Sequence, residues 1–264
     1  MRIVILESSE AVAKRSAEVI LNQIEREPES TLGLATGGTP LGTYAELVRA
    51  AEQSQVDFSG CTTFNLDEYV GLEADHPQSY RYFMRKHLFE PAGFDLDHCH
   101  FPSVDLEDIE ASCEDYEVLI EDHGGIELQL LGIGTDGHIA FNEQGSSLAS
   151  RTRIKALAWQ TRKDNARFFD SPDQVPELAV TMGIASILDT QKIVLMATGL
   201  GKAEAIRATV EGPISASLPA SALQLHPNVM VLLDEQAASL LERAEYYRDV
   251  ESIQRRLETP VAPK

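Results

Sequence analysis

Short apolar runs alternate with amphipathic stretches along the whole chain, and this alternation constrains the fold more than any other feature. The runs 3–6, 32–35, 62–66, 128–131, 193–197 and 229–233 read as strands. Between them, 11–24, 44–51, 78–89, 106–120, 178–188, 202–210 and 237–247 place apolar residues three and four apart, as helices do. Ser8 or Ser9 is the expected N-cap of the first helix. Alternating strands and helices predict an α/β fold, a three-layer Rossmann-like sandwich with a mostly parallel central sheet and helices on both faces. The 264 residues read as one domain over 1–264. Segment 151–180 is weakly periodic, carries Pro172 and Pro176, and reads as a long loop or lid. Residues 258–264 read as a frayed tail.

Bulk properties narrow the function. No apolar run reaches about 18 residues, so no membrane span is expected. The N-terminal Met1-Arg2-Ile3-Val4-Ile5-Leu6 is too short for a signal peptide and reads as a strand. A net charge of −20 disfavours nucleic acid and anionic membranes as partners. Cys61, Cys99 and Cys113 make neither a disulfide framework nor a C-x-x-C motif, which predicts reduced thiols and a cytoplasmic location. Asp97-His98-Cys99-His100 has no second ligand cluster to converge with, so no metal is expected. Against the acidic background, Arg151, Arg153, Lys155, Arg162, Lys163 and Arg167 face only Asp164. Such a segment is either a local anion site or a set of surface ion pairs with the acidic bulk.

The chemistry concentrates where strands end. Gly132-Ile133-Gly134-Thr135-Asp136-Gly137-His138-Ile139-Ala140-Phe141-Asn142-Glu143 follows the buried run 128–131. Strand ends in open α/β sheets are where ligands bind. Two carboxylates beside an imidazole there suit proton transfer, since His titrates near neutrality and carboxylates orient and tune it. Thr36-Gly37-Gly38-Thr39-Pro40 follows another strand and leads into a helix, an arrangement that offers backbone N–H groups to an anion. Thr198-Gly199-Leu200-Gly201-Lys202 repeats this design. Lys202 opposes the dipole of the helix it begins, which is easiest to understand if it meets an anion. The spacing of Gly132, Gly134 and Gly137 matches G-x-G-x-x-G, but the acid a dinucleotide site needs about 20 residues later is missing. A third strand runs into Asn65-Leu66-Asp67-Glu68-Tyr69. Neighbouring side chains on extended backbone point apart, so at most one of Asp67 and Glu68 enters the cleft.

Taken in order, 33–40, 64–69, 134–143, 146–153, 167–169 and 223–227 resemble the glucosamine-6-phosphate deaminase (isomerase) family over nearly the whole chain. The resemblance implies conversion of glucosamine 6-phosphate to fructose 6-phosphate and ammonia in amino-sugar catabolism, with no redox cofactor and no catalytic metal. By motif, it makes Asp67 the base at C2 and His138 the ring-opening group, with Asp136 and Glu143 orienting His138. It makes Gly37, Gly38, Thr39, Arg167 and Lys202 the phosphate site. Some members are hexamers activated by N-acetylglucosamine 6-phosphate; Ser146, Ser147, Arg153 and Lys155 match their effector site, and a homo-oligomer is implied. Gln144 departs from the family's usual proline, and neither Tyr246 nor Tyr247 aligns cleanly with the family's C-terminal tyrosine. A 6-phosphogluconolactonase, a galactosamine 6-phosphate enzyme and an inactive sugar-phosphate sensor are the rival readings.

Overall fold

Strand Val229–Asp234 is buried at every position, as are Ile193–Ala197, Leu128–Leu131 and Thr31–Leu34. Continuous burial of this kind fits strands covered on both faces of a parallel sheet. In the computed structural model, which describes residues 1–166, 169 and 171–258, these four form the centre of a seven-stranded sheet. The strands of the chain are β1 (Arg2–Leu6), β2 (Thr31–Leu34), β3 (Thr62–Asn65), β4 (Asp67–Tyr69), β5 (Cys99–His100), β6 (Leu128–Leu131), β7 (Arg153–Ala156), β8 (Leu178–Thr181), β9 (Ile193–Ala197) and β10 (Val229–Asp234). The large sheet runs β1-β10-β9-β6-β2-β3-β5, every pair parallel. A second, antiparallel sheet runs β4-β8-β7.

The helices are α1 (Ser9–Arg26), α2 (Leu41–Glu52), α3 (Tyr80–Met84), α4 (Glu90–Ala92), α5 (Ile109–Asp122), α6 (Trp159–Asn165), α7 (Ile184–Leu188), α8 (Ala203–Glu211) and α9 (Ala244–Glu258). Side chains alternate between the two sheet faces. Val4, Leu32, Leu34, Leu130, Val194, Met196 and Leu232 pack with Val12, Ile20 and Leu47 of α1 and α2. Ile3, Leu131, Ile193, Leu195, Val231 and Leu233 pack with Tyr116, Ile187 and Ile206 of α5, α7 and α8. The three layers expected from the alternation are therefore present. Ser8 caps α1, its hydroxyl accepting from the Ala11 N–H at 3.2 Å.

Several expectations need correction. The stretch 178–188 is not one helix. Leu178–Thr181 is β8, hydrogen-bonded between β4 and β7, and only Ile184–Leu188 is helical. An unbroken apolar run fits a buried strand and a helix equally, and here sheet pairing decides. Residues 237–243 turn without forming a helix; Asp234 accepts the Ala237 N–H at 2.7 Å, and the helix begins at Ala244. The 78–89 helix starts at Tyr80 and widens into a π-helical stretch at Arg85–Phe89. Segment 151–180 is not a plain loop, since it holds β7 and α6 before reaching β8. Of the expected tail, Glu258 ends α9, and 259–264 lie outside the described residues.

Candidate active site

The strand order fixes where a cleft must open. From β2 the chain proceeds through β3 to β5, toward one sheet edge; from β6 it proceeds through β9 to β10, toward the other. β2 and β6 are neighbours, so the connections leaving their C-terminal ends diverge and leave a crevice. A cavity of about 200 Å3 lies there. Its lining includes Gly37, Gly38 and Thr39 after β2, Asp67 after β3, Gly134 and His138 after β6, and Lys202 after β9. Four loops distant in sequence thus meet at one place.

Asp67 is 7% exposed and faces the cavity. Burial, with the nearby charge of Glu68 adding to it, pushes its carboxyl up to about 8. Glu68 turns the other way. It accepts the backbone N–H groups of Tyr69 at 2.8 Å and of Tyr80 and Arg81 at 2.9 Å, closing the start of α3. Burial raises Glu68 and those three donors lower it, with the net direction upward. The alternation argument, one carboxylate in and one away, describes this pair.

His138 Nδ1 lies 2.6 Å from Asp136 Oδ1, and the His138 backbone N–H donates to the same oxygen at 3.3 Å. The imidazole holds Asp136 down at about 2. Gly134 makes room for the pair: a Cβ there would stand 2.2 Å from the His138 ring and 2.6 Å from Asp136 Oδ1. Glu143 reaches toward α6. Its carboxylate accepts the Ala158 N–H at 2.9 Å and the Thr161 hydroxyl at 2.6 Å, capping the first turn of α6.

The two glycine-bearing loops at the cavity rim are each held from beneath by a residue outside the expected set. Tyr44, fully buried on α2, donates its hydroxyl to the Ala35 carbonyl at the base of the Gly37–Gly38 loop. Asp234, at the end of β10, accepts the Gly199 N–H with both oxygens, at 2.9 and 3.0 Å. Gly199 has φ +85°, which an L side chain strains to adopt, so the turn delivering Lys202 to the cavity needs glycine. Arg167 lies outside the described residues. The facing wall is aromatic. Tyr80 stacks on Phe141 with centroids 6.0 Å apart, and Tyr69 accepts from Asn165 of α6 at 3.1 Å. Tyr69 and Phe141 stood inside the motifs without a role, because an aromatic next to a strand reads first as core.

The proposed effector residues do not share the cavity. Ser146 is buried, and Arg153 and Lys155 lie on β7. Arg153 lines a separate groove of about 1030 Å3 beside the acid-rich α5; Ser146, Ser147 and Lys155 do not line it. Part of the basic segment is consumed by ion pairs, Arg151 with Asp189 and Arg162 with Glu177 at 3.1 Å.

Comparison with known proteins agrees with this geometry. The family model "Glucosamine-6-phosphate isomerases/6-phosphogluconolactonase" matches residues 6–232. A glucosamine-6-phosphate deaminase of Shewanella loihica is 52% identical over 262 residues, covering 99% of this chain and 98% of that protein. A solved structure described as a monomeric glucosamine-6-phosphate deaminase superposes with a TM-score of 0.89 at 44% identity, covering 91% of this chain and 100% of that one. The 6-phosphogluconolactonase of Trypanosoma cruzi shares the fold, with a TM-score of 0.72 at 19% identity and coverage of 91% and 97%. With strand order, cleft and sequence in agreement, the chain belongs to the glucosamine-6-phosphate isomerase/6-phosphogluconolactonase family.

Proposed function

We propose that the protein converts glucosamine 6-phosphate and water to fructose 6-phosphate and ammonia. The observation that carries this reading is that Asp67 and His138 line one cavity whose rim is Gly37, Gly38, Thr39 and Lys202. The rim supplies backbone N–H groups and a cation for the 6-phosphate, with Arg167 as a further anchor. His138, steadied by Asp136, takes the proton of the C1 hydroxyl and returns one to the ring oxygen, which opens the pyranose. Asp67 then removes the C2 proton, made acidic by the C1 carbonyl, and O1 is protonated to give a 2-amino-enol. Returning the proton to C1 leaves a C2 imine, which water hydrolyses to the ketone and ammonia. A carboxylate raised toward 8 by burial is a stronger base than one in water, as a weak carbon acid demands. A lactonase needs no such base at C2. The aromatic wall of Tyr80 and Phe141 encloses the sugar beside these groups.

Activation by N-acetylglucosamine 6-phosphate, assembly into an oligomer and a cytoplasmic location belong to the same proposal. The first rests on Ser146, Ser147, Arg153 and Lys155, with the Ser146 hydroxyl buried and unpartnered among the described residues. Location rests on three free, buried cysteines; among the described residues no helix is long and apolar enough to cross a membrane. The test is release of ammonia and fructose 6-phosphate from glucosamine 6-phosphate, with and without the acetylated sugar. Equal release of both products supports the reading. No release under either condition discards it.

A further inference from the structure

Asp67 and Tyr69 flank Glu68 on β4, so both turn to the cavity face, about 7 Å apart along the strand. The Tyr69 hydroxyl receives two hydrogen bonds. Asn165 of α6 donates to it at 3.1 Å and the Tyr80 hydroxyl at 3.3 Å. Both of its lone pairs are then taken, and its own hydrogen meets no acceptor among the described residues. Reversing the bond between the two tyrosines would move the spare hydrogen to Tyr80 without removing it. Tyr69 is buried, and a buried donor with no acceptor is costly. Tyr69, Tyr80 and Asn165 all line the cavity, where a bound molecule can supply the acceptor. Two incoming hydrogen bonds polarise the Tyr69 O–H and make it a stronger donor. Burial, with the charge of Asp67 adding to it, outweighs those two bonds and pushes the hydroxyl well above the ordinary tyrosine range, so it stays protonated.

The chemistry proposed for the cleft calls for a donor on this face. When Asp67 takes the C2 proton, the electron pair of the C2–H bond forms the C1–C2 double bond, and charge moves onto O1. A donor already aimed at that oxygen stabilises the transition state more than the ground state. In the proposed reaction Lys202 and the Gly37–Gly38 loop hold the phosphate, and His138 has just returned its proton to the ring oxygen, so neither is assigned to O1. We infer that the Tyr69 hydroxyl donates a hydrogen bond to O1 of the open-chain sugar and stabilises the charge that forms there. Tyr69 keeps its own proton throughout. Tyr80 and Asn165 do not share that contact; they are positioning residues that aim and polarise the Tyr69 hydroxyl. The inference rests on the reading of the cleft as that of a deaminase, and it adds the group that meets the developing oxyanion.

Tyr69→Phe deletes the hydroxyl and keeps the ring that packs on Phe141 and Phe169. Steady-state kinetics on glucosamine 6-phosphate, with hydrogen or deuterium at C2, test the inference. Tyr69→Phe should lower kcat by about 10^2-fold while KM changes by less than about twofold. Its deuterium isotope effect on kcat should equal or exceed that of the wild type, because C–H cleavage is the step slowed. Tyr80→Phe and Asn165→Ala should each lower kcat by about fivefold, since each removes only a bond that polarises Tyr69. A rise in KM without loss of kcat, or a kcat loss whose isotope effect disappears, gives Tyr69 a merely structural role and overturns the inference. A larger kcat loss in Tyr80→Phe than in Tyr69→Phe overturns the assignment to Tyr69. A wild type that releases no ammonia overturns the deaminase reading and this inference with it. An active wild type with an equally active Tyr69→Phe overturns this inference alone.

Discussion

Asp67 lines the cleft and Asp136 pairs with His138, which also lines it, yet their surroundings push the two carboxyls in opposite directions. Asp67 sits on a strand end, and burial, with the charge of Glu68 adding to it, lifts it to about 8. Asp136 sits in a half-open glycine loop against an imidazole, which holds it near 2. Two residues of the same type thereby divide the labour. One can take and return a proton in the working range. The other stays charged 2.6 Å from its histidine.

The largest effect that breaks this contrast is removal of the Asp67 carboxylate. Asp67→Asn should lower kcat by about 10^4-fold while retaining binding of fructose 6-phosphate, measurable by calorimetry. The same variant should gain thermal stability at neutral and alkaline pH. The folded state keeps a proton on Asp67 that the unfolded chain loses above the ordinary value of 3.8. Stability therefore falls as pH rises toward about 8, and the asparagine removes that loss. Melting curves at pH 5 and pH 9 compare the two proteins; an asparagine variant destabilised equally at both would contradict the raised carboxyl.

Next in size is Asp136→Asn, which leaves the imidazole without its anion. We expect kcat to fall by about 10^2-fold, because the ring loses the carboxylate that orients it. The wild type should also lose stability as pH falls from the ordinary 3.8 through about 2, because the depressed group is then protonated only at a cost to the folded state. Asp136→Asn should flatten that acid limb of a stability titration.

Smaller still are effects on the anion side. Lys202→Ala should raise KM by about tenfold or more with kcat nearly unchanged, since phosphate anchoring acts on ground and transition states alike. Asp234→Ala should move KM in the same direction by less, because it loosens the Gly199 turn without removing a cation. A kcat loss in Asp234→Ala equal to that of Asp136→Asn would remove the distinction between the two sides of the cleft.

Much of this was legible in sequence for definite reasons. The central strands announced themselves because strands buried on both faces are continuous apolar runs. The cleft residues were legible because polar groups clustered immediately after those runs. The small sheet was not. Arg153–Ala156 is polar, and Leu178–Thr181 continues into helical residues, so both are defined by partners far along the chain. Asp234 and Tyr44 were missed because their importance lies in which backbone group each reaches, which no local pattern encodes. Glu143, which the resemblance has orient His138, also holds α6 and so joins the loop after β6 to the segment that borders the cleft, a contact no local pattern encodes.

The most direct test of the account is exchange of the C2 hydrogen of glucosamine 6-phosphate in deuterated water, followed by NMR together with ammonia release, for the wild type and Asp67→Asn. The account predicts loss of the C2 hydrogen, carried to C1 or exchanged with solvent while it sits on Asp67, together with ammonia release from the wild type, and neither from Asp67→Asn although the variant binds the sugar phosphate. Ammonia release by Asp67→Asn at a near wild-type rate would contradict it.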